Sequence, residues 1–382
     1  MDPIDNKGGT ASGLAARTYP LVALAFSTIF VLTVATSVWV YYSQSPAVDF
    51  ASFWAAGHLA ITGQPALAYD IQAHRAIEMS VTHMGGLMPF PYPPPFLFMV
   101  SAIGFHPFWL AYLAWIACTG ALYLLAVKRF LSPRYAFAHP AALMNAAIGQ
   151  NGLLTTGIFA FGASIVARQP YLGGAVLGLL VIKPQLGVLL PVALLADRNW
   201  RGIAAAAVSS LLLLAAAALV FGLDSYRGFL AITGDYTGYM AGSRWNWGEL
   251  ASLFAFVRFF GVPEAVALAI QGVAALAAAA ITWRSWSTKA EERVAVLAAA
   301  TLLVPPYLFT YDSLLLVLPL AFLLRDGRHP WRVAILWLLL LAPILAYFDL
   351  YPGPNTIPIA AMLSLWWLAG PKAAPVPAPV PA

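Results

Sequence analysis

Two charged side chains stand where so apolar a chain should carry none. Asp49 follows directly on the first long apolar run, Pro20 to Tyr42, within Val48-Asp49-Phe50-Ala51-Ser52-Phe53-Trp54-Ala55-Ala56-Gly57-His58. Lys183 interrupts one apolar stretch, with Leu179-Leu180-Val181-Ile182 before it and Leu186-Gly187-Val188-Leu189-Leu190 after it. Only 9% of the residues are charged. A carboxylate beside a membrane boundary is suited to chemistry at that boundary. A lysine at a membrane-helix centre costs about 2.5–3.5 kcal/mol on insertion scales, so an anion should compensate it. One reading is a clamp for a phosphate or carboxylate; the other is snorkelling to the interface.

Other polar residues break apolar runs in the same way. Gln150 and Asn151 sit in a Gly149-Gln150-Asn151 break, where they either line a cavity or cap the helix that follows. Asp312 ends Pro305-Pro306-Tyr307-Leu308-Phe309-Thr310-Tyr311-Asp312, where it caps the next helix, lines a site, or both. His58 falls nine residues after Asp49, on roughly the same face of a helix. It either meets a ligand or sits at headgroup level. Trp245 and Trp247 flank Asn246 and read either as interfacial belt residues or as a platform for stacking a sugar. Asp70, Tyr92, Gln185, Tyr307 and Tyr311 complete the polar set.

The elements that must position these groups are membrane helices. The chain of 382 residues is 61% hydrophobic, with mean hydropathy +0.79. A soluble fold could not hide that much apolar surface. Its net charge of +5 lies in short loops, as the positive-inside rule requires, so nucleic acid is not an expected partner. The single cysteine, Cys118, excludes an internal disulfide and reads as a buried, inert thiol. No phosphate loop, zinc-protease helix or nucleophile elbow occurs, and no metal or cofactor is expected.

Basic residues set the threading. Lys7 and Arg17 place the N-terminus in the cytoplasm, with the first run as a signal anchor. Lys128, Arg129, Arg134, Arg168, Arg198, Arg201, Arg284, Lys289, Arg293, Arg325, Arg328 and Arg332 mark later cytoplasmic loops. The path between them makes about twelve crossings. Pro140–Ile148, Tyr171–Ile182, Gln185–Ala196 and Ser313–Leu324 are too short to span about 30 Å at about 1.5 Å per residue. Broken backbone at that depth survives only where protein or a wet cavity satisfies it, so a cavity opening outward is expected. The stretch Tyr92 to Gly104 is either a separate interfacial helix or an extension of the next crossing, kinked near Pro107. The threading gathers Asp49, His58, Asp70, Tyr92, the Gln150 and Lys183 breaks, Asp224–Trp247, Tyr307, Tyr311, Asp312 and Asp349 on the outer face. Residues 1–17 and the Pro/Ala-rich 371–382 are expected to be disordered.

The chain resembles the polyprenyl-phosphate-mannose-dependent mannosyltransferases of glycosyltransferase family 87, in the GT-C superfamily. The resemblance rests on Asp49-Phe50 with Phe53-Trp54-Ala55-Ala56-Gly57, Gly63-Gln64-Pro65, Ala68-Tyr69-Asp70 and Tyr92-Pro93-Pro94. It continues through Gly149-Gln150-Asn151, Gly178 with Lys183-Pro184, and Pro306-Tyr307 with Tyr311-Asp312. Together these cover roughly residues 20–325. Some members carry a histidine-rich stretch in a late outer loop that this chain lacks, which leaves the sugar and the acceptor open.

The resemblance implies an all-α, polytopic fold of GT-C type. About 10–12 crossings and outer-face interfacial helices would make one catalytic domain over residues 18–370, with outer loops at 43–106 and 224–261. It implies an inner-membrane location, an active site facing the periplasm, and the first-loop aspartate, here Asp49, as catalytic base. The donor would be a sugar on a polyprenyl phosphate and the acceptor a lipid or glycan. Asp49 would take the acceptor proton, and configuration would invert in one step. A fixed cation, Lys183 in the first place and Arg244 in the second, would steady the leaving phosphate. His58, Tyr92, Gln150, Asn151, Gln185, Trp245, Trp247, Tyr307, Tyr311 and Asp312 would contact substrate. A transporter or lipid flippase with an outward cavity is the competing class. Such folds often carry an internal repeat, and no convincing repeat is present. A non-catalytic assembly factor is the third class.

Overall fold

The computed structural model describes residues 21–22, 24–33, 35–36, 48–82, 88–241, 247–327, 329–347 and 351–370. The chain is an all-α polytopic membrane protein. Among the described residues the only β pairing is an isolated antiparallel bridge between Leu250 and Phe309. The segments expected to be disordered, 1–17 and 371–382, lie outside the described residues, as do Arg244, Trp245 and Asp349.

Among the described residues, three helices are long and apolar enough to cross a bilayer: Phe108–Val127, Trp200–Phe221 and Glu264–Ser287. The second shows how the sequence sets its ends. Asn199 caps it by accepting from the Gly202 amide at 2.9 Å, and Gly222, at φ +78°, ends it. Its 22 residues rise about 33 Å, enough for the hydrocarbon core. Leu211, Leu212, Leu219 and Val220 stay exposed along it, which suits a helix facing lipid.

Two of the remaining apolar segments are interrupted. Helix Pro170–Gly178 tightens into a 3-10 turn, Leu179–Ile182, then breaks at Lys183 and resumes as Pro184–Leu186 and Leu190–Ala196. Pro184 disfavours helical backbone at Lys183, which is extended at φ −147°. Thr310–Leu316 is likewise a 3-10 turn that runs into helix Val317–Asp326. The Tyr92 to Gly104 stretch resolves as a separate helix, Phe96–Gly104, ended before Pro107 opens the next one.

Asp49 lies in the first turn of helix Val48–Ile61. This helix presses closely on Phe96–Gly104 at a pair of glycines. A Cβ on Gly57 would strike the Val100 carbonyl, and one on Gly104 would strike the Gly57 backbone. The Trp54 indole donates to the His106 carbonyl at 2.9 Å and locks the same contact. Around it Phe50, Phe53, Phe90, Phe96, Tyr112 and Trp115 form one apolar core. A second core gathers Leu153, the Ala298–Ala300 run, Leu314–Leu318 and Ile357. Gly149, at φ +72°, ends helix Pro140–Ile148, and Phe50 fills the space a side chain there would need.

Cys118 departs from expectation. It is exposed on the spanning helix Phe108–Val127 rather than buried. Helical periodicity turns position 118 outward, while Trp115, Ile116 and Thr119 face the core.

Candidate active site

A cavity of about 450 Å³ opens beside the Phe53 and Tyr92 edge of the first core. Asp49, Ser52 and Phe53 line it from one side, and Pro89, Pro91 and Tyr92 from the loop before helix Phe96–Gly104. Ile148 and Gln150 come from the glycine break; Gly248, Glu249, Phe309, Thr310 and Tyr311 form the opposite wall. That wall is stitched by the Leu250–Phe309 bridge and by Asn355, whose amide reaches Thr310 Oγ1 at 2.7 Å. Asn145 ties the glycine break to the same wall: its Nδ2 donates to the Tyr311 carbonyl at 3.0 Å, and its Oδ1 accepts from the Gly152 amide at 2.7 Å.

Among the described residues, one neutral side chain holds Asp49. Gln150 Nε2 donates to Asp49 Oδ2 at 2.8 Å, and Gln150 Oε1 accepts from the Tyr92 hydroxyl at 3.2 Å and the Asn151 amide at 2.9 Å. Burial within the wall pushes the Asp49 carboxyl up to about 6. The Gln150 bond and the Lys183 charge pull the other way, while Glu78 and Glu249 add to the rise. A carboxylate poised there accepts a proton more readily than an exposed one.

Lys183 is placed differently. Its ammonium is 2% exposed and sits 2.5 Å from Asp312 Oδ1 and 3.0 Å from Asn151 Oδ1. It lies 4.5 Å from the centre of the Tyr311 ring and 6.0 Å from that of Tyr92. The anion that so buried a lysine demands is therefore Asp312, from the same chain. Lys183 stands behind the cavity wall rather than on it, so snorkelling does not describe it. Asn151 and Gln150 are neighbours in sequence. One chain of contacts thus runs from Asp312 through Lys183 and Asn151 to Gln150 and Asp49.

A further polar cluster shares the Asp49 helix. Ser52 Oγ lies 3.1 Å from His74 Nε2, and the same nitrogen is 3.5 Å from Glu78 Oε1. His74 and Glu78 lie four residues apart on helix Ile71–Val81, which Asp70 caps by accepting from the Gln72 and Ala73 amides. All three members are buried, and Ser52 borders the cavity. Sequence reasoning passed over them. The available signal was a His and a Glu at i and i+4, one helix after Asp49.

Of the expected site residues, Asp49, Tyr92, Gln150 and Tyr311 line the cavity. Asn151, Lys183 and Asp312 form the layer behind it. Neither Gln150 nor Asn151 caps the next helix through its side chain, and Phe309 rather than Asp312 stands at the start of the 3-10 turn. His58 stacks on Trp54 at 5.1 Å between ring centres, away from the cavity. Gln185 lies in the Pro184–Leu186 turn, also away from it. Tyr307 and Trp247 pack on Phe254, and the Arg258 guanidinium covers Trp247 at 5.0 Å. Glu249, Thr310 and Ser52 are wall residues that the sequence did not single out.

The family model for glycosyltransferase family 87 matches residues 90–306. The chain belongs to glycosyltransferase family 87. It is accordingly a membrane glycosyltransferase. The match takes in Tyr92, Gln150, Asn151 and Lys183 and leaves Asp49, Tyr311 and Asp312 outside it. No curated protein and no solved structure matches the chain.

Proposed function

We propose that this glycosyltransferase moves a sugar from a polyprenyl-phosphate donor to a hydroxyl of an extracytoplasmic lipid or glycan, with Asp49 as general base. The observation that carries this reading is the placement of Asp49. It is the cavity carboxylate raised toward neutrality and held by a neutral amide. The catalytic domain is read as residues 18–370 of an inner-membrane protein, with the cavity facing the periplasm, and mannose is the first sugar to test.

In this reading the acceptor hydroxyl gives its proton to Asp49 as its oxygen forms a bond to the anomeric carbon. The bond from that carbon to the phosphate oxygen breaks, and the electron pair leaves with the lipid phosphate. Attack opposite the leaving group inverts configuration. Tyr92, Tyr311 and Phe309 add aromatic edges to the wall against which the sugar ring would pack. Lys183 acts as a positioning residue: it fixes Asn151 and, through its charge, restrains the rise at Asp49. With Lys183 engaged by Asp312, Arg244 is the better candidate to meet the leaving phosphate. It stands four residues before Gly248 of the cavity wall.

The test is purified protein in detergent with polyprenyl-phosphate mannose and glucose, scored by released polyprenyl phosphate and sugar-bearing product. Wild type should turn over one of them, and Asp49→Asn should not. Native-rate transfer by Asp49→Asn would remove the assignment. Movement of a substrate across liposomes without any turnover would favour a transporter.

A further inference from the structure

We infer that Ser52 is a second polar anchor in the cavity, binding one hydroxyl of the donor sugar, and that His74 and Glu78 position it. The inference rests on the reading of this cavity as the donor-sugar site. Ser52 follows Asp49 by three residues on one helix, so both side chains fall on the face that borders the cavity. A serine at such a place is ordinary unless something buried holds it, and here His74 does, with Glu78 beside that histidine. His74 is 1% exposed and Glu78 3% exposed, and their nearest atoms are Nε2 and Oε1 at 3.5 Å. Burying a histidine and a glutamate side by side is expensive without a fixed arrangement to maintain.

The geometry excludes one use and favours another. A nucleophilic serine needs a ring nitrogen as base and a carboxylate on the other ring nitrogen to orient it. Here Glu78 faces the same nitrogen as Ser52, and His74 Nδ1 has no partner among the described residues. The cluster is therefore built to fix a hydroxyl rather than to ionise it. In the tautomer with its proton on Nε2, the ring donates to Ser52 Oγ, while Glu78 Oε1, 3.5 Å from the same nitrogen, makes no hydrogen bond among the described residues. Among the described residues the Ser52 proton then has only the Pro89 carbonyl, at 3.3 Å. That is beyond the roughly 3.0 Å at which such hydroxyl bonds normally end. Ser52 thus keeps a weakly engaged donor and a free lone pair beside the cavity, matching the donor and acceptor character of a sugar hydroxyl. Glu78 also accepts from the Met88 amide at 3.3 Å, so the same clasp brings Met88 and Pro89 to the cavity rim.

The test measures binding, so it needs no acceptor. Dissociation constants are determined in detergent for wild type, Ser52→Ala, Ser52→Thr and His74→Phe. The probes are polyprenyl phosphate, polyprenyl-phosphate mannose, and its 2-, 3-, 4- and 6-deoxy analogues. Ser52→Ala should weaken the mannose donor about 3- to 10-fold, the worth of one hydrogen bond, and leave bare polyprenyl phosphate unchanged. One deoxy donor should bind wild type and Ser52→Ala alike. Ser52→Thr, which keeps the hydroxyl, should recover most of the loss, and His74→Phe should reproduce the Ser52→Ala pattern. Equal weakening of bare and sugar-bearing lipid by Ser52→Ala would overturn the inference. So would sensitivity to Ser52→Ala that is the same for every deoxy donor. If wild type prefers sugar-bearing lipid and Ser52→Ala keeps that preference, this inference fails while the donor reading stands. If wild type shows no preference for sugar, both fail.

Discussion

Asp49 and Lys183 stand at two points of one hydrogen-bonded chain, yet the fold treats them oppositely. Lys183 is sealed from solvent and meets an aspartate, an amide oxygen and a tyrosine face. Asp49 borders a cavity, and a single neutral amide holds it. Both are charges in an apolar chain, and both carry a desolvation cost. At Lys183 that cost is met in part inside the protein, by the Asp312 carboxylate and the Asn151 oxygen, and the residue becomes an anchor joining the Asn151 break to the Asp312 turn. At Asp49 it is left largely uncompensated, and the carboxyl rises to about 6. A buried charge engaged by a partner charge has little left to give a substrate, whereas one held by a neutral amide at a cavity wall remains available for proton transfer.

The largest effect expected from this contrast is on turnover. Asp49→Asn should lower transfer about 10²- to 10⁴-fold, the usual worth of a positioned base. The Gln150 amide still finds an oxygen on asparagine, so the variant should fold. Purified rates for the variant and wild type would decide this, and a loss under tenfold would break the contrast at its catalytic end.

Breaking the anchor should act on stability instead. Lys183→Met leaves Asp312 buried without its cation and should cost about 3–5 kcal/mol. The double variant Lys183→Met/Asp312→Leu should recover much of that loss. Thermal unfolding in detergent would report both. A double variant that folds well and no longer binds polyprenyl phosphate would make Lys183 a phosphate contact after all.

The pH dependence sharpens the comparison. Asp49 must be ionised to accept a proton, so the transfer rate should fall about tenfold per pH unit below about 6 and level off above it. In the double variant the Lys183 charge no longer restrains Asp49, so that limb should move to higher pH. The stability sign is opposite to that of an ion-paired aspartate. A raised carboxyl favours the folded state below the unfolded value near 3.8, and that benefit is lost as pH rises through about 6. Asp49→Asn should therefore gain in melting temperature over wild type as pH rises from 4 to 8. A gain that shrinks over the same interval would contradict the raised carboxyl.

The smallest expected change is Tyr92→Phe. It removes one hydroxyl bond to Gln150, 3.2 Å long, and should cost about 1 kcal/mol or less of stability. Its ring remains against the cavity, so a donor dissociation constant within about threefold of wild type is expected. A much larger change would mean that the hydroxyl itself meets the substrate.

Composition and periodicity alone determined that this is a helical membrane protein. They located the spanning helix Phe108–Val127 and the short helix Pro140–Ile148 and marked the breaks at Gln150 and Lys183, because the cost of polar groups in hydrocarbon is a local property of the chain. The threading set by Lys and Arg grouped Asp49, Tyr92 and Tyr311 with those breaks as expected companions. Tertiary structure decided the pairings. Asp312 is 129 positions from Lys183, and Gln150 is 101 from Asp49; no local rule selects one distant partner over another. It also decided which polar groups reach the cavity and which stand behind it, separating Asp49 from Lys183 and Ser52 from His58. Whether a buried charge becomes an anchor or a reactive group depends on how fully its surroundings compensate it, and those surroundings exist only once the helices have packed.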